Sequence, residues 1–348
     1  MNLSRRNLLK ASATATVGAL TTSHSHAHTH TVEIPPLSGQ MGLRIANFQP
    51  TARASTRLGV VTDMGMVIDI AMQAQKQKIQ LTFDPTSMLS FLHAGDSALQ
   101  QVQKLVSKAQ NTGIPVQEVK FLSPIPRPQS NIYAVGWNYL DHFEEGKEAR
   151  ADKNVKEYPK FPVFFSKGTQ TMNGPFDSIP YDPNFSTAID WEAEIAVVIG
   201  RKGKNIPESD AMNYVFGYSA YNDTTARDVQ QKRHSGQWFK GKSLDGHGPM
   251  GPWIVTAGGV DLNNTRVICR VNGVQKQNAS YQQMYFKIPT IIAELSKGLT
   301  LLPGDIIATG TPSGVGYSRN PPEFLKPGDV METEITGVGI IRNTIANS

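Results

Sequence analysis

Apolar and polar positions alternate in two short runs near the start of the chain, Arg57 to Val61 and Met66 to Ile70. They flank Thr62-Asp63-Met64-Gly65, which predicts a strand pair closed by a turn. The period then lengthens. Ser87 to His93, and Ser97 to Gln110 with Leu99, Val102, Leu105 and Val106 on one face, predict amphipathic helices of an α/β module. Gly113-Ile114-Pro115 and Pro124-Ile125-Pro126-Arg127-Pro128 break both periods, so a domain boundary is placed near residue 125.

Beyond that boundary strands dominate: Ile132 to Gly136, Val163 to Ser166, Ile189 to Gly200, Val215 to Asn222, Trp253 to Thr256, Arg266 to Val271, Asp305 to Thr309 and Asp329 to Ile335. Two of them are entered through Pro-Gly-Asp turns, at Pro303 and Pro327, which suits a compact, mostly antiparallel architecture. The expected fold class is α+β, mainly β, with a small N-terminal α/β domain over 42–125 and a larger β-rich domain over 126–348. Residues 143–160 are charged and lack a sustained apolar period. They read as a surface loop, and their position beside His142 suits a lid.

Composition adds bounds. At 348 residues, 39% hydrophobic and 18% charged, the chain can bury a core. No apolar run approaches the ~20 residues that span a bilayer, which argues against stable membrane insertion. Ser4-Arg5-Arg6-Asn7-Leu8-Leu9-Lys10, followed by a mildly apolar stretch from Ala11 to Leu20, resembles a twin-arginine export signal. Residues 1–27 are therefore read as a signal peptide cleaved near Ser25-His26-Ala27, with export by the twin-arginine translocase to the periplasm. Its removal takes away Arg5, Arg6 and Lys10, so 31 basic residues face 29 acidic ones and the net charge drops from +5 to about +2. With no dense basic patch interleaved with aromatics, nucleic acid is excluded as a partner. The single cysteine, Cys269, excludes an intramolecular disulfide. His24, His26, His28 and His30 belong to the leader or its flank; His93, His142, His234 and His247 remain for the folded body.

Candidate chemistry begins at Ile189-Asp190-Trp191-Glu192-Ala193-Glu194-Ile195. In a strand, Glu192 and Glu194 share one face with Asp190, and that face continues as Ala196 and Val198. Adjacent carboxylates running into a buried place repel each other unless a cation joins them, although a solvated amphipathic strand gives the same pattern. A third carboxylate comes from Asp223 in Asn222-Asp223-Thr224-Thr225-Ala226-Arg227-Asp228, where Thr225 and Asp228 read as a capping-box-like helix start and, on these residues alone, Asp223 and Asp228 read first as turn and cap residues. Three oxygen ligands on rigid elements suit Mg²⁺ or Mn²⁺.

These segments, taken in order, resemble a known family. Glu192-x-Glu194, Asn222-Asp223-x-x-Ala226-Arg227-Asp228-x-Gln230, Gly241-Lys242-Ser243 and Thr309-Gly310-Thr311-Pro312-Ser313-Gly314-Val315-Gly316, with Asn138-Tyr139-x-Asp141-His142 upstream, resemble the fumarylacetoacetate hydrolase superfamily over about residues 125–348. The resemblance implies a β-roll or sandwich catalytic domain, a homodimer, and Glu192, Glu194 and Asp223 as ligands of Mg²⁺ or Mn²⁺. It also implies that His142, paired with Glu145, activates water as a general base. Lys242, Arg227, Gln230 and Thr311 match residues near a small oxo-acid substrate.

The expected reaction is metal-dependent hydrolysis of a carbon–carbon bond in a dioxo-acid of the acylpyruvate or fumarylacetoacetate kind. Isomerisation, decarboxylation or tautomerisation of an oxo-acid on the same metal site is the nearest rival. A periplasmic metal- or oxo-acid-binding protein without turnover is a rival of another class.

Overall fold

The computed structural model describes residues 31–39, 42–51, 54–109, 113–147 and 157–348. The expected export signal, its cleavage site and the leader histidines lie outside the described residues, as does half of the expected lid, residues 148–156.

Among the described residues a sheet of twelve strands forms the frame. Its main path runs Ile114–Pro115, Met66–Asp69, Arg57–Val61, Arg44–Gln49, Gly248–Thr256, Val215–Asn222, Ala193–Ile199, Ile306–Ala308, Ile132–Gly136 and Val163–Lys167. Pairing is mostly antiparallel; Ile306–Ala308 beside Ile132–Gly136 is parallel. The predicted hairpin is present, Arg57–Val61 against Met66–Asp69. Its second strand stops one residue early because the Asp69 carboxylate accepts the Met72 N–H and starts the helix Ile70–Lys76. The strand Arg44–Gln49 pairs with Gly248–Thr256, so segments on both sides of residue 125 share one sheet and no break between sheets marks the expected boundary.

The alternation along Ala193–Ile199 works as read. Ala193, Ile195, Val197 and Ile199 face a core shared with Trp253, Val267 and Met331. That core is roofed by a second sheet of five strands, Val274–Ser280, Arg266–Val271, Val330–Ile335, Gly339–Asn347 and Ile179–Tyr181. Ala196 and Val198 face the other core, with Phe91, Leu92, Val102 and Leu105 of the helices Met88–His93 and Gly95–Ser107. The strand is thus buried on both sides, and every side chain in it is removed from water.

Two local expectations are corrected. Ile189 to Gly200 is not one strand: Ile189–Asp190 pairs with Thr225–Ala226 in a separate ribbon, and the large sheet resumes at Ala193. The break has a cause, because side chains capture three successive N–H groups. Trp191 N–H donates to its neighbour Asp190, Glu192 N–H to Asn222 Oδ1, and Ala193 N–H to Gln277 Oε1. The capping box is also absent. The Thr225 hydroxyl donates to Asp223 O, and Asp228 accepts from Ser186 Oγ and Val229 N, so the helix Arg227–Lys232 starts without a side-chain cap.

Candidate active site

The break at Trp191–Glu192 aims Glu192 toward Asp223, whose N–H donates to Glu192 O at 2.8 Å. With Glu194 at the head of the strand, one oxygen from each of the three carboxylates lies within 4.8 Å of the other two, and all three side chains are buried. Glu194 also accepts the Gly310 N–H at 2.8 Å. Burial, and then the Asp223 and Glu192 charges, push the Glu194 carboxyl well above the usual carboxylate range. Such a set of hard oxygen donors, whose mutual repulsion a cation relieves, fits a divalent metal.

Lys242 and Arg227 are brought to the same carboxylates. Lys242 Nζ lies 2.6 Å from Glu192 Oε2 and 2.7 Å from Asp223 Oδ2. Arg227 donates to Asp190 Oδ2 through Nε at 2.7 Å and to Gln230 Oε1 through Nη1 at 3.0 Å, and its Nη2 forms an ion pair with Glu192 Oε1 at 2.6 Å. Burial works to raise the Glu192 carboxyl, but Lys242 and Arg227 outweigh it and hold that group below its ordinary value. The ion pairs therefore order the acidic triad as well as line the cavity.

His142 is buried on the helix Leu140–Glu145, and its Nδ1–H donates to Glu145 Oε1 at 2.8 Å. Glu145 Oε2 accepts the Gly314 N–H, also at 2.8 Å. The glycine-rich turn thus grips two carboxylates at once, Glu194 through Gly310 and Glu145 through Gly314. Both glycines have positive φ, 98° and 103°, which lets the backbone fold its N–H groups inward. Thr311 lies between them, its hydroxyl donating to Ala193 O and accepting from Gln277 Nε2.

His142, Glu192, Arg227, Gln230, Lys242 and Thr311 all border one cavity of about 290 Å³. The expected site residues converge there, with Glu194 and Asp223 joined through their contacts to Glu192. His93 and His234 are exposed elsewhere, and His247 is buried with Nε2 2.8 Å from Pro180 O.

Lys167, the contacts of Asp190 and the aromatic wall of the cavity were not legible in the sequence. Lys167, fully buried, sits 2.6 Å from Asp223 Oδ1 and donates to Thr224 O and His247 O. Its signal was a lysine at the end of the apolar run Val163-Phe164-Phe165, a place where a charge needs a partner. Asp190 holds Arg227 and accepts N–H groups from Gly316 and Tyr317, binding the glycine-rich turn to the acidic cluster. Trp137, Phe165 and Trp238 form the apolar wall of the cavity, and no periodicity singles them out.

Residues 131–346 match the model of the fumarylacetoacetate (FAA) hydrolase C-terminal family. The chain belongs to the fumarylacetoacetate hydrolase family. Within that family it is 40% identical over 313 residues to the oxaloacetate tautomerase fahd2, mitochondrial, of Xenopus laevis, covering 88% of this chain and 92% of that one. It is 39% identical over 297 residues to the oxaloacetate tautomerase YisK of Bacillus subtilis, covering 83% and 95%. Among solved structures, the maleylpyruvate hydrolase of Sphingobium sp. SYK-6 in complex with manganese (II) ion and pyruvate superposes with a TM-score of 0.67 at 27% identity, over 88% of this chain and 99% of that one. Proteins similar to this chain thus include enzymes of more than one reaction class.

Proposed function

We propose that the protein is a divalent-metal-dependent tautomerase of a small oxo-diacid of the oxaloacetate type. The observation that carries the reading is the placement of the His142–Glu145 pair and the Glu192 end of the acidic triad on one cavity of about 290 Å³. Tautomerisation needs one proton moved between a carbon and an oxygen of the same substrate, and this site supplies one buried imidazole beside an acidic triad. Mg²⁺ or Mn²⁺, which Glu192, Glu194 and Asp223 would hold, would supply Lewis acidity that acidifies the C–H next to a carbonyl. His142 takes the proton from that carbon through Nε2 and returns one to the carbonyl oxygen, and the reverse sequence converts enol to keto form. Glu145 fixes the imidazole with Nδ1 protonated and stabilises the cation formed on proton uptake. Arg227, Lys242 and Gln230 place positive and amide groups at the polar end of the cavity, where they bind substrate carboxylate. Resemblance to two oxaloacetate tautomerases across most of the chain supports this choice over the carbon–carbon hydrolysis expected first.

Hydrolysis uses the same residues with an added water, and the maleylpyruvate hydrolase neighbour keeps it as the second reading. Oxaloacetate followed by NMR in deuterated buffer separates them. The tautomerase reading expects accelerated keto–enol interconversion and exchange at the methylene with no carbon–carbon cleavage. Fragments from a dioxo-acid such as maleylpyruvate, without acceleration on oxaloacetate, would replace it with the hydrolase reading. Export to the periplasm belongs to the proposal on the strength of Arg5-Arg6 and the leucines after them. The N-terminal sequence of the mature protein tests it.

A further inference from the structure

Resting on the oxo-acid reading, we infer that Trp137 and Trp238 are the specificity-determining residues that limit how far the substrate extends from its metal-chelating end. The lining divides by chemistry into two sides, one polar, with His142, Glu192, Arg227, Gln230, Lys242 and Thr311, and one apolar, with Val135, Trp137, Phe165 and Trp238. They meet where Lys242 Nζ lies 5.1 Å from the centroid of the Phe165 ring. A ligand whose oxo-acid end is held by the first side is bordered by the second along its tail.

That second side is built as a fixed wall. The Trp137 and Trp238 rings meet edge to face with centroids 5.0 Å apart, and Phe165 packs on Trp238 at 5.2 Å. Gly136 brings the wall close to the backbone: a Cβ there would fall 2.5 Å from the Trp238 ring. An alanine would force the indole to shift.

Trp137 also carries backbone strain. Its φ is +55°, a region that a bulky residue adopts only when its surroundings impose it. Asn138 imposes it. The Asn138 side chain donates to Thr309 O and Phe286 O and accepts from Phe286 N, and its backbone O accepts from Tyr285 N. Four hydrogen bonds pin the residue next to the strained one. A glycine would satisfy this backbone at lower cost, so the indole is retained for what it does in the cavity. It also touches the catalytic helix, where Phe143, adjacent to His142, packs edge to face on Trp137 at 5.9 Å. A tail that displaced Trp137 would disturb the helix that carries the base.

The test measures binding by calorimetry on the Mg²⁺-loaded protein with pyruvate, 2-oxopentanoate and phenylpyruvate, for wild type, Trp137→Gly, Trp137→Phe and Trp238→Ala. Wild type is expected to bind phenylpyruvate about tenfold or more weakly than pyruvate, because the wall does not yield. Trp137→Gly, whose backbone suits φ +55°, and Trp238→Ala are each expected to level or reverse that order while pyruvate affinity changes little; Trp137→Phe should keep the wild-type order. Equal wild-type affinities for the three acids, or an unchanged order in both truncated variants, would overturn the inference. Binding is read without turnover, so failure of the tautomerase assay leaves this ranking interpretable. If none of the acids binds, the oxo-acid reading fails and the filter fails with it.

Discussion

Glu145 joins His142 to the glycine-rich turn: its Oε1 lies 2.8 Å from His142 Nδ1, and its Oε2 accepts the Gly314 N–H at 2.8 Å. The carboxylate that orients the base is thus itself oriented by backbone. Because Gly310 in the same turn donates to Glu194, the base and the acidic triad share one rigid support.

Glu145→Gln should therefore lower kcat by about 10²-fold, the lower end of what a positioned acid–base group contributes, with little change in metal affinity. His142→Ala should cost at least as much, and the double variant no more than His142→Ala alone, since the two residues act as a unit. Stopped-flow decay of the oxaloacetate enol absorbance measures all three. Additive losses would show that Glu145 acts elsewhere.

Lys167 is paired with Asp223 where neither is exposed. Burial lowers the lysine and the Asp223 charge works against that. Lys167→Met leaves Asp223 with less compensation and two carbonyls without their donor, a change of the kind that costs about 3–5 kcal/mol. Thermal melts of the metal-free protein should fall sharply, and added Mn²⁺ should recover part of the loss by binding the folded state.

His247 gives stability a pH dependence. Burial, then the Lys167 charge, lower its imidazole from the ordinary 6.5 to about 4. Between those values the unfolded chain binds a proton that the folded chain refuses, so stability falls as pH drops from about 6.5 to 4 and is lost no further by this group below that. The full contribution is about 3 kcal/mol. Urea midpoints from pH 4 to 7 should decline more steeply in wild type than in His247→Gln, and parallel curves would contradict the assignment.

The sequence carried the strand order signals and the carboxylates because both rest on local chemistry: alternation along 193–199, and like charges at the head of a buried run. It also carried the His142–Glu145 spacing, which one helical turn brings together. What it did not carry depends on chain segments far apart. Strand Arg44–Gln49 pairs with Gly248–Thr256, about two hundred residues on, so a boundary drawn from prolines at 124–128 says nothing of that pairing. The break at Trp191 depends on Asn222 and Gln277, 30 and 84 residues away from the amides they capture. Lys242 shows the same limit. Its motif located it, but not its two ion pairs to Glu192 and Asp223.

The central claim is that Glu192, Glu194 and Asp223 hold one divalent cation. Titration of Mn²⁺ into the metal-free protein, followed by the loss of free-ion EPR signal, tests it most directly. One site per chain is expected in wild type and none in Glu194→Gln, a variant that keeps one side-chain oxygen but removes the charge. Stoichiometric Mn²⁺ binding retained in Glu194→Gln at wild-type affinity would contradict it.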